Sequence, residues 1–112
     1  MFVKEIEASE LSEWMAQTDT EIQLIDVRTP GEIAAGIIPG TEAMPLTTLP
    51  MRTHEVQKNQ KVVFYCRTGA RSAQACMFLA QQGFDNVYNL RGGIMNWARN
   101  QLPIESGAHL VS

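Results

Sequence analysis

The sequence predicts a single three-layer α/β domain, a parallel sheet with helices on both faces. Three observations predict it. Short apolar runs alternate with helical patterns along the 112 residues, and that alternation builds crossovers onto a parallel sheet. One run, Val62-Val63-Phe64-Tyr65-Cys66, is apolar on both faces, as a central strand must be when helices cover both sides. No repeat, linker or low-complexity tract divides the chain, and its length suits one domain.

The elements follow in order. Val3 to Ile6 reads as a short outer strand. Leu11, Trp14 and Met15 then fall on one face of a helix near residues 9–17. Ile22 to Val27 is the next strand. Thr29-Pro30-Gly31-Glu32 starts a helix, with Thr29 at the N-cap, Pro30 in the first turn and Glu32 closing a capping box. Ala43 to Leu46 reads as a second outer strand. In residues 47–60, Pro50 is expected to open a short helix, and Lys58-Asn59-Gln60-Lys61 to be a solvated connection. After the central strand, Cys76, Leu79 and Ala80 share one face of a helix over 71–82, and Gly83 stops it. Asn86 to Leu90 forms a further strand, and a last helix follows Gly92-Gly93 with Ile94, Trp97 and Ala98 at apolar spacing. The domain is expected to span 1–104. Residues 105–112 show no periodicity and are expected to be a flexible tail.

Composition removes several functions. Nine Lys+Arg against twelve Asp+Glu give a formal charge of −3, whereas nucleic-acid binders and polybasic membrane modules need surplus positive charge. The N-terminus meets charge at once, with no apolar signal core, and no run approaches the roughly 18 apolar residues of a spanning helix. The expectation is a cytoplasmic protein with reduced thiols. Cys66 and Cys76 are too few for a stapled secreted domain, fit no zinc ribbon, and make no C-x-x-C redox pair. His54 and His109 lie far along the chain from either cysteine and read as exposed polar residues. Met15, Met77 and Met95 read as core filler, and Trp14 and Trp97 as packing residues.

One segment carries chemistry. A buried strand ends at Cys66, a compact loop with Gly69 follows, and a helix begins near Arg71 or Ser72. Open α/β sheets place ligands at such strand ends. A loop feeding a helix N-terminus presents backbone N–H groups that no helical carbonyl satisfies, together with the positive end of the helix dipole. Those donors over Arg67, Thr68, Gly69, Ala70, Arg71 and Ser72 make an anion site, and Cys66 stands at its edge. The same field, with the guanidinium groups of Arg67 and Arg71, favours a thiolate. A thiolate facing an anionic substrate suits transfer of a charged group onto sulfur. The bland alternative makes Cys66 a small core residue; the basic loop weighs against it. Cys76, on an apolar helix face with no basic neighbour, reads as core.

Cys66-Arg67-Thr68-Gly69-Ala70-Arg71 resembles the active-site loop of the rhodanese family of sulfurtransferases. Three further segments resemble that family in the same order. They are Leu24-Ile25-Asp26-Val27-Arg28 with its following helix start, Gly36-Ile37-Ile38-Pro39-Gly40, and Leu90-Arg91-Gly92-Gly93-Ile94 with Trp97 and Leu102-Pro103. The resemblance implies a rhodanese-like, five-stranded parallel sheet and a ping-pong reaction. The Cys66 thiolate takes the outer sulfur of thiosulfate or a related persulfide donor, and a thiol, cyanide or a protein acceptor collects it. It implies no metal or organic cofactor. Asp26 is expected to support the loop by pairing with one of its arginines, and Arg28 to add to a positive rim; the alternative is an internal salt bridge between strand-end residues. The chain departs from the family pattern at Ile37, where histidine is frequent, at Thr41, where alanine is common, and at Gln101, where glycine is usual.

Two rivals stand beside the sulfurtransferase. A small cysteine-dependent phosphatase or arsenate reductase of the same fold needs five residues between cysteine and arginine, and only four separate Cys66 from Arg71. A non-catalytic rhodanese-like binding module usually lacks the cysteine, which this chain keeps. Neither the oligomeric state nor the physiological donor and acceptor is written in the sequence.

Overall fold

The computed structural model describes residues 2–17 and 19–111. Five parallel strands form one sheet: β1 Glu5–Ile6, β2 Ile22–Asp26, β3 Thr41–Ala43, β4 Lys61–Tyr65 and β5 Val87–Leu90. Their spatial order is β1-β5-β4-β2-β3. Among the described residues, three α-helices lie between successive strands, α1 Ala8–Ala16, α2 Pro30–Ala35 and α3 Ala70–Gln81, and a fourth, α4 Gly93–Arg99, follows β5. Among the described residues, no helix is long and apolar enough to cross a membrane.

The central strand sorts the core by its two-residue period. Val62, Phe64 and Cys66 point to one face, where they meet Ala75, Cys76 and Leu79 of α3. Val63 and Tyr65 point to the other, with Leu11 of α1 and Trp97 of α4. Burial on both faces is why this strand reads as a continuous apolar run. Tyr65 ends that run with a hydroxyl, which Thr41 meets at 2.8 Å and the Ile38 N–H at 3.2 Å. Thr41 thus closes a buried network at a position where alanine would leave the phenol one partner short.

Most boundaries lie within a residue or two of expectation, and three expectations need correction. The outer strand expected at Ala43 to Leu46 is Thr41–Ala43. Met44 and Leu46 still donate to Asp26 and Val27 at 2.9 Å, but Pro45 between them has no N–H and ends the ladder. Pro50 does not open the next helix. It lies inside a 3-10 turn, Leu46–Met51, which starts behind Pro45. The segment expected to be a flexible tail is placed against α2. Glu105 exchanges backbone hydrogen bonds with Ile37 at 2.8 and 2.9 Å, and the Gly107 N–H donates to the Ala34 carbonyl. A Cβ on Gly107 would collide with the Ile33 carbonyl, so the backbone approaches more closely than a side chain permits. Ser112 lies outside the described residues.

The C-terminal ends of α3 and α4 differ in one informative residue. α3 stops with Gly83 at φ +96°, its N–H on the Ala80 carbonyl at 3.1 Å and the Phe84 N–H on the Leu79 carbonyl at 3.0 Å. That is a Schellman cap. α4 stops in the same way, with the Gln101 N–H on Ala98 at 2.9 Å and the Leu102 N–H on Trp97 at 3.4 Å. Its left-handed position, φ +60°, is held by Gln101, which carries a Cβ penalty that glycine escapes. We predict that Gln101→Gly stabilises the domain by roughly 0.5–1 kcal/mol, a rise of a few degrees in Tm. Gly83→Ala should lower it by a similar amount. An unchanged or lower Tm for Gln101→Gly would show that the cap carries no strain.

Candidate active site

The C-terminal ends of β2, β4 and β5 meet at one edge of the sheet, and Cys66 stands one residue beyond β4. It is 1% exposed. Its sulfur accepts hydrogen bonds from the Gly69 N–H at 3.1 Å, the Ser72 N–H at 3.5 Å and the Ser72 hydroxyl at 3.4 Å. The loop curls because its carbonyls are held from outside. The N–H groups of Ile94 and Met95, in the first turn of α4, donate to the carbonyls of Cys66 and Arg67 at 2.9 and 3.1 Å. The Gly69 carbonyl accepts from the Ala73 N–H and from Asn89 Nδ2, each at 3.1 Å. Gly69 itself sits at φ +109°, a turn that glycine makes at no steric cost.

Burial pushes the Cys66 thiol up. Hydrogen bonds from the Ser72 hydroxyl and from the N–H groups of Ser72, Gly69 and Thr68 outweigh it, and hold the thiol below its ordinary value. The hydroxyl is a shared donor, since Ser72 has one proton and Asn89 Oδ1 lies 2.5 Å from the same oxygen. The N–H groups have no such alternative. Cys76, by contrast, is buried without compensating donors, and its thiol is pushed up to about 12.

The sequence-predicted residues divide into two groups. Cys66, Gly69 and Ser72 meet around the sulfur, with Thr68 contributing its N–H. Ala70 opens α3 and is exposed. Arg67 is also exposed, and among the described residues its guanidinium forms no hydrogen bond or ion pair. Arg71 leaves the loop to grip Glu32, Nη1 to Oε1 at 2.7 Å and Nη2 to Oε2 at 3.0 Å. Asp26 pairs with no loop arginine. Its carboxylate takes Arg28 Nε and Nη2 at 2.7–3.0 Å, while Arg28 Nη2 also reaches the Gly36 carbonyl at 2.5 Å. Arg28 is therefore turned inward and forms no part of a positive rim. The strand end binds its own neighbour because only Val27 separates the partners.

Sequence reasoning missed Asn89, Glu32 in its second role, and Gly93. Asn89 is buried in β5, where it orients Ser72 through Oδ1 and the Gly69 carbonyl through Nδ2, with Glu5 Oε2 a further acceptor at 3.1 Å. Its signal was a polar residue inside an apolar strand. Glu32 accepts from the Thr29 N–H and hydroxyl as well as from Arg71, which holds its carboxyl down at about 2.

The fold and site together define a class: a parallel α/β domain whose strand-end cysteine lies inside a ring of backbone donors. Residues 7–100 match the rhodanese-like domain family. A sulfurtransferase of Allochromatium vinosum is 51% identical over 102 residues, covering 91% of this chain and 94% of that one. A thiosulfate sulfurtransferase of Pseudoalteromonas translucida is 31% identical, covering 87% and 90%. The crystal structure of a rhodanese-like domain protein from Staphylococcus aureus superposes with a TM-score of 0.81 at 33% identity, covering 93% and 100%. The chain belongs to the rhodanese-like family, and its relatives support a sulfurtransferase-like role.

We predict that iodoacetamide alkylates Cys66 with a pH midpoint below that of an ordinary thiol, while Cys76 stays unmodified. Ser72→Ala should raise the midpoint by less than about one unit, because the N–H donors remain. The same change orphans Asn89 Oδ1, costing about 1–3 kcal/mol in denaturant unfolding. A midpoint restored fully to the ordinary value would mean that the hydroxyl, and not the backbone, stabilises the thiolate.

Proposed function

We propose that the protein is a rhodanese-type sulfurtransferase that carries sulfane sulfur as a persulfide on Cys66. The observation that carries this reading is the convergence of N–H groups on one buried sulfur, Gly69 at 3.1 Å and Ser72 at 3.5 Å. In the first half-reaction the Cys66 thiolate attacks the outer sulfur of thiosulfate or a related donor. A new S–S bond forms, the donor's own S–S bond breaks, and sulfite departs with the electron pair. The terminal sulfur of the resulting Cys66–S–S⁻ then lies among the loop N–H groups, fixed dipoles that need no reorganisation to accept it. In the second half-reaction an acceptor nucleophile, cyanide, a thiol or a protein thiolate, attacks that terminal sulfur and releases the Cys66 thiolate. Asp26 and Arg28 serve as a buried brace at the neighbouring strand end. Both cysteines are free and buried, and a reducing compartment such as the cytoplasm suits a cycle that begins from a thiolate.

Loop size speaks against phosphoryl chemistry. Four residues separate Cys66 from Arg71, and Arg71 is turned onto Glu32 instead of closing over the loop, as an arginine clamping a tetrahedral phosphate would.

Incubation with thiosulfate is expected to add one sulfur atom to the intact protein, seen by mass spectrometry. Cys66→Ser should abolish the adduct and Cys76→Ser should leave it. An unmodified wild type that hydrolyses an aryl phosphate would replace this reading with the phosphatase.

A further inference from the structure

The charges round the sulfur do not add as the sequence implies. Three arginines lie near the loop, and two have their charge cancelled by a dedicated carboxylate. Arg28 is held by Asp26 in a buried pair. Arg71 is held by Glu32 in a two-pronged pair whose side chains are 35% and 31% exposed. Of these three, Arg67 alone has no anionic partner among the described residues. Arg71 directly precedes Ser72, whose N–H and hydroxyl contact the Cys66 sulfur, so Glu32, bound to the Arg71 guanidinium, places a carboxylate at the edge of the donor site. Resting on the sulfurtransferase reading, we propose that Glu32 is a specificity-determining residue: it makes the donor site select sulfane-sulfur donors of one negative charge over dianions.

The argument is one of charge and geometry. A dianion such as thiosulfate meets one free guanidinium, the N–H ring, and a nearby carboxylate. To use Arg71 it must displace Glu32 from two charge-assisted hydrogen bonds. A thiosulfonate, R–SO₂–S⁻, presents the same outer sulfur with one charge fewer, and Arg67 with the N–H ring satisfies it. Its chemistry is matched: the Cys66 thiolate attacks the outer sulfur, the donor's S–S bond breaks, and a sulfinate leaves with the electron pair. Protein and small-thiol persulfides with uncharged surroundings fall in the same low-charge class. Surface-accessible ion pairs add little to stability, but cancellation of charge beside a substrate needs only that the pair be formed.

Glu32→Gln is the discriminating change. Glutamine keeps Oε1 for the Thr29 N–H and hydroxyl, and it fits the capping box as well as glutamate does. It removes the negative charge and turns an amide N–H₂ toward Arg71 Nη2, where two donors face each other. The assay compares thiosulfate with methanethiosulfonate at low and high salt. Wild type should favour methanethiosulfonate in kcat/KM. In Glu32→Gln the KM for thiosulfate should fall about ten-fold at low salt, with kcat little changed and the gain shrinking as salt rises. The KM for methanethiosulfonate should move less than about three-fold, and sulfite should become the tighter product inhibitor. A merely structural Glu32 would alter both donors by the same factor, and that result, or an unchanged ratio, overturns the proposal. A wild type that takes sulfur from neither donor overturns instead the sulfurtransferase reading on which it rests.

Discussion

The site depends on the seating of α4 against the loop after β4. A peptide unit points its carbonyl and the following N–H in opposite directions. When Met95 takes the Arg67 carbonyl outward, the Thr68 N–H is turned toward the sulfur, where it helps to hold the thiol down. The approach is close enough that a Cβ on Gly93 would lie 2.6 Å from the Cys66 carbonyl and closer still to that of Arg67. Any side chain there would push α4 away and release the carbonyls. Gly93 thus has its reason in the cysteine loop, and Trp97, four residues on in the same helix, anchors the docking in the core beneath the sheet.

Neutral hydrogen-bond donors, the Ser72 hydroxyl together with the N–H groups of Ser72, Gly69 and Thr68, then set the character of Cys66. A guanidinium brought to a 1%-exposed sulfur would itself lose hydration, and burying a charge is costly even when it is paired. N–H groups at a loop and helix start are unsatisfied in any case, so aiming them at sulfur adds no desolvated ion. Asn89 makes the aim durable. It holds the Gly69 carbonyl and the Ser72 oxygen with opposite ends of one amide, so the two donors nearest the sulfur share one brace in β5.

Features that were legible in the sequence are those whose partners lie close along the chain. The Thr29–Glu32 capping box spans four residues, Gly83 comes two positions after the end of its helix, and the two-faced burial of β4 shows in five consecutive letters. The cysteine loop was legible for the same reason, as six adjacent residues. What was not legible joins distant segments. Arg71 finds Glu32 thirty-nine positions away, and Asn89 finds Ser72 and Glu5 seventeen and eighty-four away. An arginine close to a cysteine in sequence therefore reads as a partner for its thiolate, although its side chain is taken by Glu32. The tail was misjudged on similar grounds. Its hold on Ile37 and Ala34 is made by backbone groups, which leave no mark in side-chain periodicity.

The same segments explain why the Arg71–Glu32 pair persists at a partly exposed surface. Isolated ion pairs of this exposure are weakened by the entropy of ordering two long side chains. Here one partner is ordered beforehand. Glu32 is locked by the Thr29 N–H and hydroxyl at the start of α2, and α2 is only six residues long, too short to stand without support. That support comes from below and behind. Ile33 is fully buried, and the Glu105–Gly107 segment crosses the helix end through Ile37 and Ala34. Little is left for the pair itself to order except Arg71, whose Cα is fixed in the first turn of α3. The tail thereby reaches the candidate site through backbone contacts alone: it steadies α2, α2 steadies Glu32, and Glu32 holds Arg71.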